Sequence, residues 1–518
     1  MQKLPVDIST FSQLRENNYL YVDKTEYIYH LITGGRRYFL SRPRRFGKSL
    51  LISTMKEILT GKRALFNGLW IDSSDYVWHE HSVITFDFSQ LDTKNLDVFE
   101  ESLKYRLLTV ASQYEITDIS MTGPISVLFD SVVRKLFKQY GRVAILVDEY
   151  DNPLLHILHD RQRAEEIRTS IQRFFTMIKS LDEYIQFVFI TGVSSFTKAG
   201  LFSGINNLQM LTLRDEYATI CGYTDQEVDY YFSEYINAWA EKDNILYDVL
   251  RQNIKAWYNG YSFGYKVPQV YNPFSIMNAL AIKKFENFWF QSGTPTFLVE
   301  VLKKEYETFD QDHMYATQDF LGIFDIDTIP LLSLMFQAGY VTISDYDSDS
   351  ELFTLAYPNR EVRVSFQKYL LHIATHIDPH VAGKILSQLR SSIINNNIEQ
   401  FITLLQQLFA HIPYQLHISQ EKFYHALFIM ILVGANITYH AEYSTSHGRI
   451  DLVLDLLHVY YIIEVKFNTN PQEALSQIEE RRYYERFVMY SKRIILVGMS
   501  FNRSPQHFDI TYVTREID

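Results

Sequence analysis

Between Tyr38 and about Leu213, short apolar runs alternate with longer stretches of helical periodicity. The helical stretches begin near Lys48, Asp97 and Arg161. Strands separated by helices of this length are typical of a mostly parallel sheet covered on both faces. The pattern therefore predicts an α/β domain. Its predicted strands are Tyr38–Ser41, Val83–Ser89, Val143–Tyr150 and Phe187–Ser195.

The strand pattern fades from about Thr224 to about Ile377, where aromatic-rich helical stretches are broken by turn-like runs such as Trp257–Gly264. From Glu421 onward the order becomes helix, strand, hairpin, helix and strand, which indicates a second α/β domain. A helical middle domain thus separates two α/β domains. The predicted domains are residues 1–215, 216–380 and 381–518.

Composition narrows the class of protein. The 518 residues carry 49 Lys and Arg against 61 Asp and Glu, and the net charge of −12 argues against non-specific coating of nucleic acid. One cysteine, Cys221, excludes an internal disulfide, and the first residues lack the pattern of a signal peptide. The longest apolar stretch, Ala426–Val433, is far shorter than the roughly 20 residues that cross a bilayer. We therefore expect a cytoplasmic protein without a membrane partner.

A basic segment directly follows the first predicted strand and opens a helix. Backbone N–H groups and a helix N-terminus at such a position can bind a triphosphate, although a solvated basic turn is the alternative. Gly47 would allow close approach of the backbone, Lys48 would reach the β- and γ-phosphates, and Ser49 would bind Mg²⁺. Arg42 stands where the G-x-x-x-x-G-K-[ST] motif has its first glycine. The predicted ATP-binding loop is Arg42, Pro43, Arg44, Arg45, Phe46, Gly47, Lys48 and Ser49.

Two further strand ends add candidates for the same site. The apolar strand from Val143 ends in Asp148 and Glu149, at the sheet edge where the loop also lies. Asp148 is predicted to bind Mg²⁺ and Glu149 to activate a water, the alternative being two acids that only cap a strand. After the next strand, Ser194 is our first candidate for sensing the γ-phosphate and Thr191 the second.

These residues carry a resemblance to a bacterial AAA-ATPase-like family. Its members have an Arg-Pro-Arg-Arg-Phe loop in place of the glycine-rich one, so the resemblance implies that Arg42 is a family trait. The likeness spans most of residues 1 to about 215, including Tyr21–Thr25, Val147–Asp151 and Phe202–Asn207. It implies a P-loop NTPase sheet with helices on both faces.

A second constellation lies near the C-terminus. Two apolar β runs flank a turn near Leu457 and His458, and a hairpin with this turn sets Asp451 opposite Glu464. Opposed Cβ atoms lie about 5 Å apart, so the two carboxylates could bind one divalent ion. Period-two alternation puts Lys466 on the face of Glu464. Two acids that bind a metal, together with a lysine, are typical of sites that hydrolyse phosphodiesters, because the metal activates water and polarises the phosphate.

This arrangement resembles the PD-(D/E)xK nuclease superfamily, in the branch found fused to AAA-like domains. Glu421 matches the first-helix motif of that branch, and Gln477 with Tyr483 matches the helix after the hairpin. The proline that often precedes the first aspartate is absent before Asp451. The resemblance implies a restriction-endonuclease-like α/β domain in which Glu421 and Gln477 join the catalytic set.

The sequence thus predicts an ATPase coupled to Mg²⁺-dependent cleavage of nucleic acid, with DNA favoured and Mn²⁺ an alternative metal at the nuclease site. ATP binding or hydrolysis would gate or position the cleavage. Family analogy alone suggests a role in defence or in a mobile element, and a homo-oligomer is compatible with it. The alternative is a nucleotide-dependent interaction switch whose nuclease-like domain binds without cleaving.

Overall fold

The computed structural model gives the chain as two compact units, residues 1–362 and 363–518. The residues it describes are 1–116, 119, 123–157, 160–195, 201–202, 205, 207–289, 314–322, 330–375, 377, 379–411, 421–445, 448–490, 492–504 and 507–517. The three-domain division made from the sequence stays a prediction. No helix in these described ranges is long and apolar enough to cross a membrane.

The helices of the described chain are numbered in order. They are α1 Phe11–Glu16, α2 Thr25–Gly34, α3 Lys48–Leu59, α4 Leu96–Gln113, α5 Ile125–Tyr140, α6 Asn152–Leu155, α7 Arg161–Ser180, α8 Asp225–Asp243, α9 Tyr247–Tyr258, α10 Pro273–Ile282, α11 Gln318–Gly322, α12 Leu331–Ala338, α13 Arg360–Thr375, α14 Pro379–Ile394, α15 Ile398–Ala410, α16 Glu421–Gly434 and α17 Pro471–Glu480.

The strands follow the same numbering. They are β1 Arg37–Ser41, β2 Val83–Asp87, β3 Val143–Asp148, β4 Ile185–Gly192, β5 Gln209–Met210, β6 Tyr223–Thr224, β7 Val270–Tyr271, β8 Tyr315–Ala316, β9 Thr342–Asp347, β10 Leu352–Ala356, β11 Tyr439–Thr445, β12 Gly448–Asp455, β13 Val459–Phe467, β14 Arg493–Ser504 and β15 His507–Ile517.

A five-stranded parallel sheet forms the centre of the first unit. Its strand order is β2-β3-β4-β1-β5, so β4 lies between the strand that leads into the basic loop and the strand that ends in Asp148. Strand β3 is buried throughout, as expected for a strand covered on both faces. The predicted P-loop α/β fold is confirmed, and the short edge strand β5 is an addition to it.

Helices α8, α9 and α10 pack around an apolar cluster that includes Phe232, Trp239 and Ile254. Leu20 and Val22, from the segment before α2, join the same cluster and attach it to the sheet domain. The predicted helical middle region is therefore present, but it also contains the antiparallel strands β8, β9 and β10. Sequence patterning missed β9, Thr342–Asp347, because its half-polar sequence shows no regular alternation.

The second unit contains a five-stranded sheet in the order β11 to β15. Its pairs are antiparallel except β13 with β14, which run parallel and are joined through α17. The predicted order of helix, strand, hairpin, helix and strand is confirmed, with β15 added at the edge. The hairpin of β12 and β13 turns at residues 456–458 and carries the second candidate site.

Candidate nucleotide and metal sites

The basic loop turns from β1 into α3 at Gly47, whose φ of 88° lies in the left-handed region that glycine adopts without strain. Lys48 begins the helix and is only 4% exposed. Its Nζ donates hydrogen bonds of 3.1 Å to the carbonyl oxygens of Arg42 and Pro43. The ammonium group is therefore held inside the loop, at the position where phosphates would meet the helix N-terminus.

The side chain of Arg42 is anchored inside the protein. Its buried guanidinium donates to the carbonyl oxygens of Ser41, Thr212 and Tyr217, each at 2.9 Å, and its backbone N–H donates to Gly192. Burial lowers the pKa of this guanidinium to about 10. These guanidinium donors are thus engaged inside the protein, and the role of Arg42 in ATP binding stays a prediction.

We expect Arg42→Gly, which restores the usual loop residue, to lower the free energy of unfolding by about 3 kcal/mol, since three carbonyl oxygens lose a charged donor. Arg45→Ala is the matched control, because Arg45 is exposed and its guanidinium lies 4.7 Å from the ring of Phe274. Urea unfolding of the full chain measures both. Equal stabilities of the two variants would contradict the anchoring role of Arg42.

Asp148 lies beside the loop and is 7% exposed. Thr191 donates a hydrogen bond of 2.5 Å to its carboxylate. Burial raises the pKa of Asp148, and the hydroxyls of Ser49 and Thr191 partly oppose this. Ser49 and Asp148, the two residues predicted to bind Mg²⁺ at the nucleotide site, are thus neighbours.

Glu149 follows in a strained left-handed conformation, with a φ of 52°. Its carboxylate accepts a hydrogen bond of 3.3 Å from Asn152 and lines the same cleft as the loop. A carboxylate that is half-buried at the edge of a cleft can contact both bound nucleotide and water. This placement is compatible with the predicted role of Glu149 as a base.

Ser194 faces another carboxylate. Its hydroxyl and its backbone N–H both donate to Asp151, which is fully buried and also accepts from the Val193 N–H. Thr191, the second candidate for sensing the γ-phosphate, is the hydroxyl that contacts Asp148. Sequence reasoning gave Asp151 no role, although its position in the Asp-Glu-Tyr-Asp run was the available signal.

A cleft of about 610 Å³ opens over the loop. Arg44, Arg45 and the residues of the helix start line one side of it, together with Glu149. Its apolar walls come from the N-terminal segment and from α10 and its neighbours. Among them are Val6, Ile8, Tyr21, Tyr223, Phe274 and Met277. A phosphate-binding loop beside an apolar wall suits a nucleotide, whose base is aromatic and whose other end is anionic.

In the second unit, strands β12 and β13 pair with Leu452 opposite Ile463. The ladder ends at this pair, and Asp451 and Glu464 are the next residue of each strand. The predicted position of Asp451 opposite Glu464 stays a prediction. Lys466 lies on the face of Glu464, and its Nζ is 3.6 Å from the Glu464 Oε1 atom. Val465 is 1% exposed and belongs to the opposite face.

Glu464 is 1% exposed, and Gln477 from α17 donates a hydrogen bond to its Oε1 atom. The other oxygen, Oε2, is buried and has no hydrogen-bond partner among the described residues. Burial, and after it the charge of Asp451, raises the pKa of Glu464 to about 7. A buried carboxylate oxygen beside a second carboxylate is costly without a cation, so these residues fit a divalent metal.

Asp451 is held by the backbone around it. Its carboxylate accepts a hydrogen bond of 2.9 Å from the Val465 N–H, and its own carbonyl oxygen lies 3.2 Å from the Nε2 atom of His425. Glu421 begins α16, but its side chain lies outside the described residues. Among the described residues no group of three or more His, Cys, Asp or Glu forms a metal cluster.

The fold and the two sites define a P-loop ATPase-like chain that carries a nuclease-like domain. Residues 5–202 match the family described as "Predicted AAA-ATPase", and residues 419–507 match the PD-(D/E)XK nuclease superfamily. The chain is also 34% identical over 515 residues to a protein of Azotobacter chroococcum mcd 1, described as "Uncharacterized protein in vnfD 5'region", with 97% of both chains covered. The chain belongs to this family of AAA-ATPase-like proteins fused to a PD-(D/E)XK domain.

Solved structures with similarity to the chain include two archaeal proteins. The Walker-type ATPase of Pyrococcus abyssi is 10% identical with a TM-score of 0.33, and the match covers 71% of this chain and 98% of that one. The ORC2 protein of Aeropyrum pernix is 11% identical with a TM-score of 0.30, covering 80% and 85%. With scores this low, the assignment rests on the sheet and the sites themselves.

Proposed function

We propose that the first unit binds and hydrolyses ATP with Mg²⁺. The supporting observation is the buried Lys48 ammonium group held inside the loop, beside the Asp148 carboxylate that Thr191 holds. Ser49 and Asp148 would hold the metal, which would neutralise charge on the phosphates. Lys48 would exchange its two carbonyl acceptors for phosphate oxygens, and the loop N–H groups would bind the rest.

In the proposed hydrolysis, Glu149 orients the attacking water and accepts its proton. Thr191 holds the Asp148 carboxylate from the neighbouring strand. Asp151 fixes the backbone after β4 by accepting the N–H groups of Val193 and Ser194. The roles of Ser194, Arg44, Arg45, Phe46 and Pro43 in nucleotide binding stay predictions.

Glu149→Gln is expected to slow ATP hydrolysis by about 100-fold or more while ATP binding is retained, because the amide can orient water but cannot accept its proton. Single-turnover hydrolysis and equilibrium binding separate the two effects. Asp148→Asn should differ by raising the Mg²⁺ concentration needed for turnover. Turnover of Glu149→Gln equal to that of the parent would remove Glu149 from this role.

For the second unit we propose metal-dependent cleavage of a phosphodiester in nucleic acid, with DNA the favoured substrate. The observation that supports it is the buried Oε2 atom of Glu464, which has no hydrogen-bond partner within the described part of the chain and feels the charge of Asp451. Asp451 and Glu464 would hold Mg²⁺ or Mn²⁺, which when bound lowers the pKa of water and polarises the phosphate. Lys466 would stabilise the developing charge, and Gln477 positions Glu464. Glu421 stays a predicted member of the set.

We propose further that nucleotide state controls this cleavage, as in a defence system or a mobile element. Full-length protein incubated with DNA and Mg²⁺ or Mn²⁺, with and without ATP, tests it. Cleavage that needs the metal and responds to ATP would support the proposal. Metal-dependent cleavage that is the same with and without ATP would reject the control by nucleotide and leave the proposed cleavage standing.

The alternative is a nucleotide-dependent switch that binds nucleic acid without cutting it. The observation in its favour is the departure of the loop from the glycine-rich pattern at Arg42. The same incubation, with RNA as a second substrate and with both binding and cleavage measured, would separate the nuclease from the switch. ATP-dependent binding of nucleic acid without any cleavage would favour the switch.

A further inference from the structure

The residues that make the phosphate loop unusual contact segments far away in the sequence. The Phe46 ring meets Tyr261 edge-on at 4.8 Å. Pro43 faces Gly339 so closely that a Cβ on that glycine would lie 2.8 Å from the Pro43 Cβ atom. The Arg44 carbonyl oxygen accepts a hydrogen bond of 3.1 Å from the indole of Trp289. The loop is therefore packed against the region that follows the sheet domain.

Trp289 contacts the loop with its side chain and a helix with its backbone. It is 0% exposed, and its backbone N–H donates to the carboxylate of Glu361 at 2.7 Å. Its ring also meets Tyr340 at 5.1 Å. One rigid, buried residue thus connects the carbonyl of Arg44 to the carboxylate of Glu361.

Glu361 is the second residue of α13, Arg360–Thr375. It is 0% exposed, and the backbone N–H of Val362 donates to the preceding Asn359 at 3.0 Å, which fixes the start of the helix. The boundary between the two compact units falls between Val362 and Arg363, inside this helix. The N-terminal turn of α13 is therefore the covalent link through which the first unit continues into the second.

Occupancy of the cleft by ATP would act on this connection through Lys48. Lys48 now caps the carbonyl oxygens of Arg42 and Pro43, and the next carbonyl along the chain, that of Arg44, is the acceptor of the Trp289 indole. When phosphates take the Lys48 ammonium group, two carbonyls lose their donor and the loop must readjust. Because protein interiors are close-packed, a shift of the loop would be passed on to the Trp289 side chain that contacts it.

We propose that Trp289 transmits nucleotide occupancy from the phosphate loop to the first turn of α13. This inference rests on the proposed binding of ATP in the cleft and names the route by which the nucleotide would control the second unit. On this account the contacts of Pro43, Arg44 and Phe46 serve signalling as well as stability. Trp289 acts as a positioning residue and touches no substrate.

Hydrogen exchange of the full chain tests the proposal without requiring nuclease activity. Amides of residues 360–375 are compared with and without saturating Mg-ATP, in the parent and in Trp289→Phe, which keeps an apolar ring but removes the indole donor. Trp239→Phe is the matched control, because Trp239 is 1% exposed and its indole donates to Asp243 at 2.7 Å within α8. ATP affinity is measured for all three.

In the parent and in Trp239→Phe, ATP is expected to change the exchange rate of this segment by about fivefold or more, the lower range of allosteric coupling. In Trp289→Phe the change should vanish although ATP still binds. Glu361→Gln, which keeps an acceptor for the Trp289 N–H, should retain the change, and Glu361→Leu should lose it.

An undiminished effect of ATP on exchange in Trp289→Phe would overturn the proposal. So would an exchange rate of residues 360–375 in the parent that bound ATP does not change. Failure of the parent to bind ATP would reject the proposed function itself, and this inference with it. These results are distinguishable because affinity and exchange are measured on the same samples.

Discussion

Lys48→Ala is expected to weaken ATP binding by at least about 100-fold, the size of effect seen when a buried charged partner is removed. The ammonium group lies at the helix start, and its two hydrogen bonds go to neutral loop carbonyls. Anionic phosphate oxygens would replace these carbonyls as stronger acceptors. Isothermal calorimetry with Mg-ATP measures the loss.

Two controls separate binding from folding. Lys48 is buried rather than solvated, so Lys48→Met, which keeps the apolar stem, should preserve the melting temperature better than alanine while losing ATP equally. Lys56→Ala changes a lysine on the same helix that does not line the cleft and should leave affinity unchanged. Unaltered affinity in Lys48→Met would end the phosphate-loop assignment.

Asp451→Asn is expected to reduce Mg²⁺-dependent cleavage by at least about 100-fold, because a neutral amide is a poor ligand for a hard cation. Asparagine can still accept the hydrogen bond of the Val465 N–H, so the hairpin should be kept. Without metal the variant should melt at a higher temperature than the parent, since the charge of Asp451 opposes ionisation of Glu464.

Asp455→Asn is the matched control. It lies on the same strand, but its carboxylate pairs with Lys492 at 2.6 Å, away from Glu464. Cleavage by Asp455→Asn should equal that of the parent. Cleavage undiminished in Asp451→Asn would remove this residue from the catalytic set and favour the non-cleaving switch.

The parts of the fold and of the sites that could be predicted follow from local patterns in the sequence. The alternation of apolar runs and helices indicated the parallel sheet, and the ends of its strands indicated Lys48, Asp148 and Glu149 as neighbours, because parallel strands share one carboxyl edge. The hairpin register followed from the position of its turn, since side chains alternate with a period of two. The closeness of Asp451 to the segment of Glu464 could therefore be predicted from the chain's own pattern, and their direct pairing stays a prediction.

Ser194 shows where this reasoning stops. A hydroxyl after β4 is visible in the sequence, but its acceptor is Asp151, brought close only when β3 and β4 pair. The hydroxyl that contacts Asp148 belongs instead to Thr191. Both residues lie at the end of the same strand, so the sequence could not decide between them.

The sequence by itself determined the order of elements and the chemistry available at each turn, because both follow from local periodicity and residue type. Only the tertiary structure decided what Arg42 and Trp289 do. The guanidinium of Arg42 donates hydrogen bonds to carbonyl oxygens 170 and 175 residues away in the sequence. The indole of Trp289 donates to a loop carbonyl 245 residues away. Contacts at such separation depend on how whole elements pack, and no local pattern in the chain encodes them.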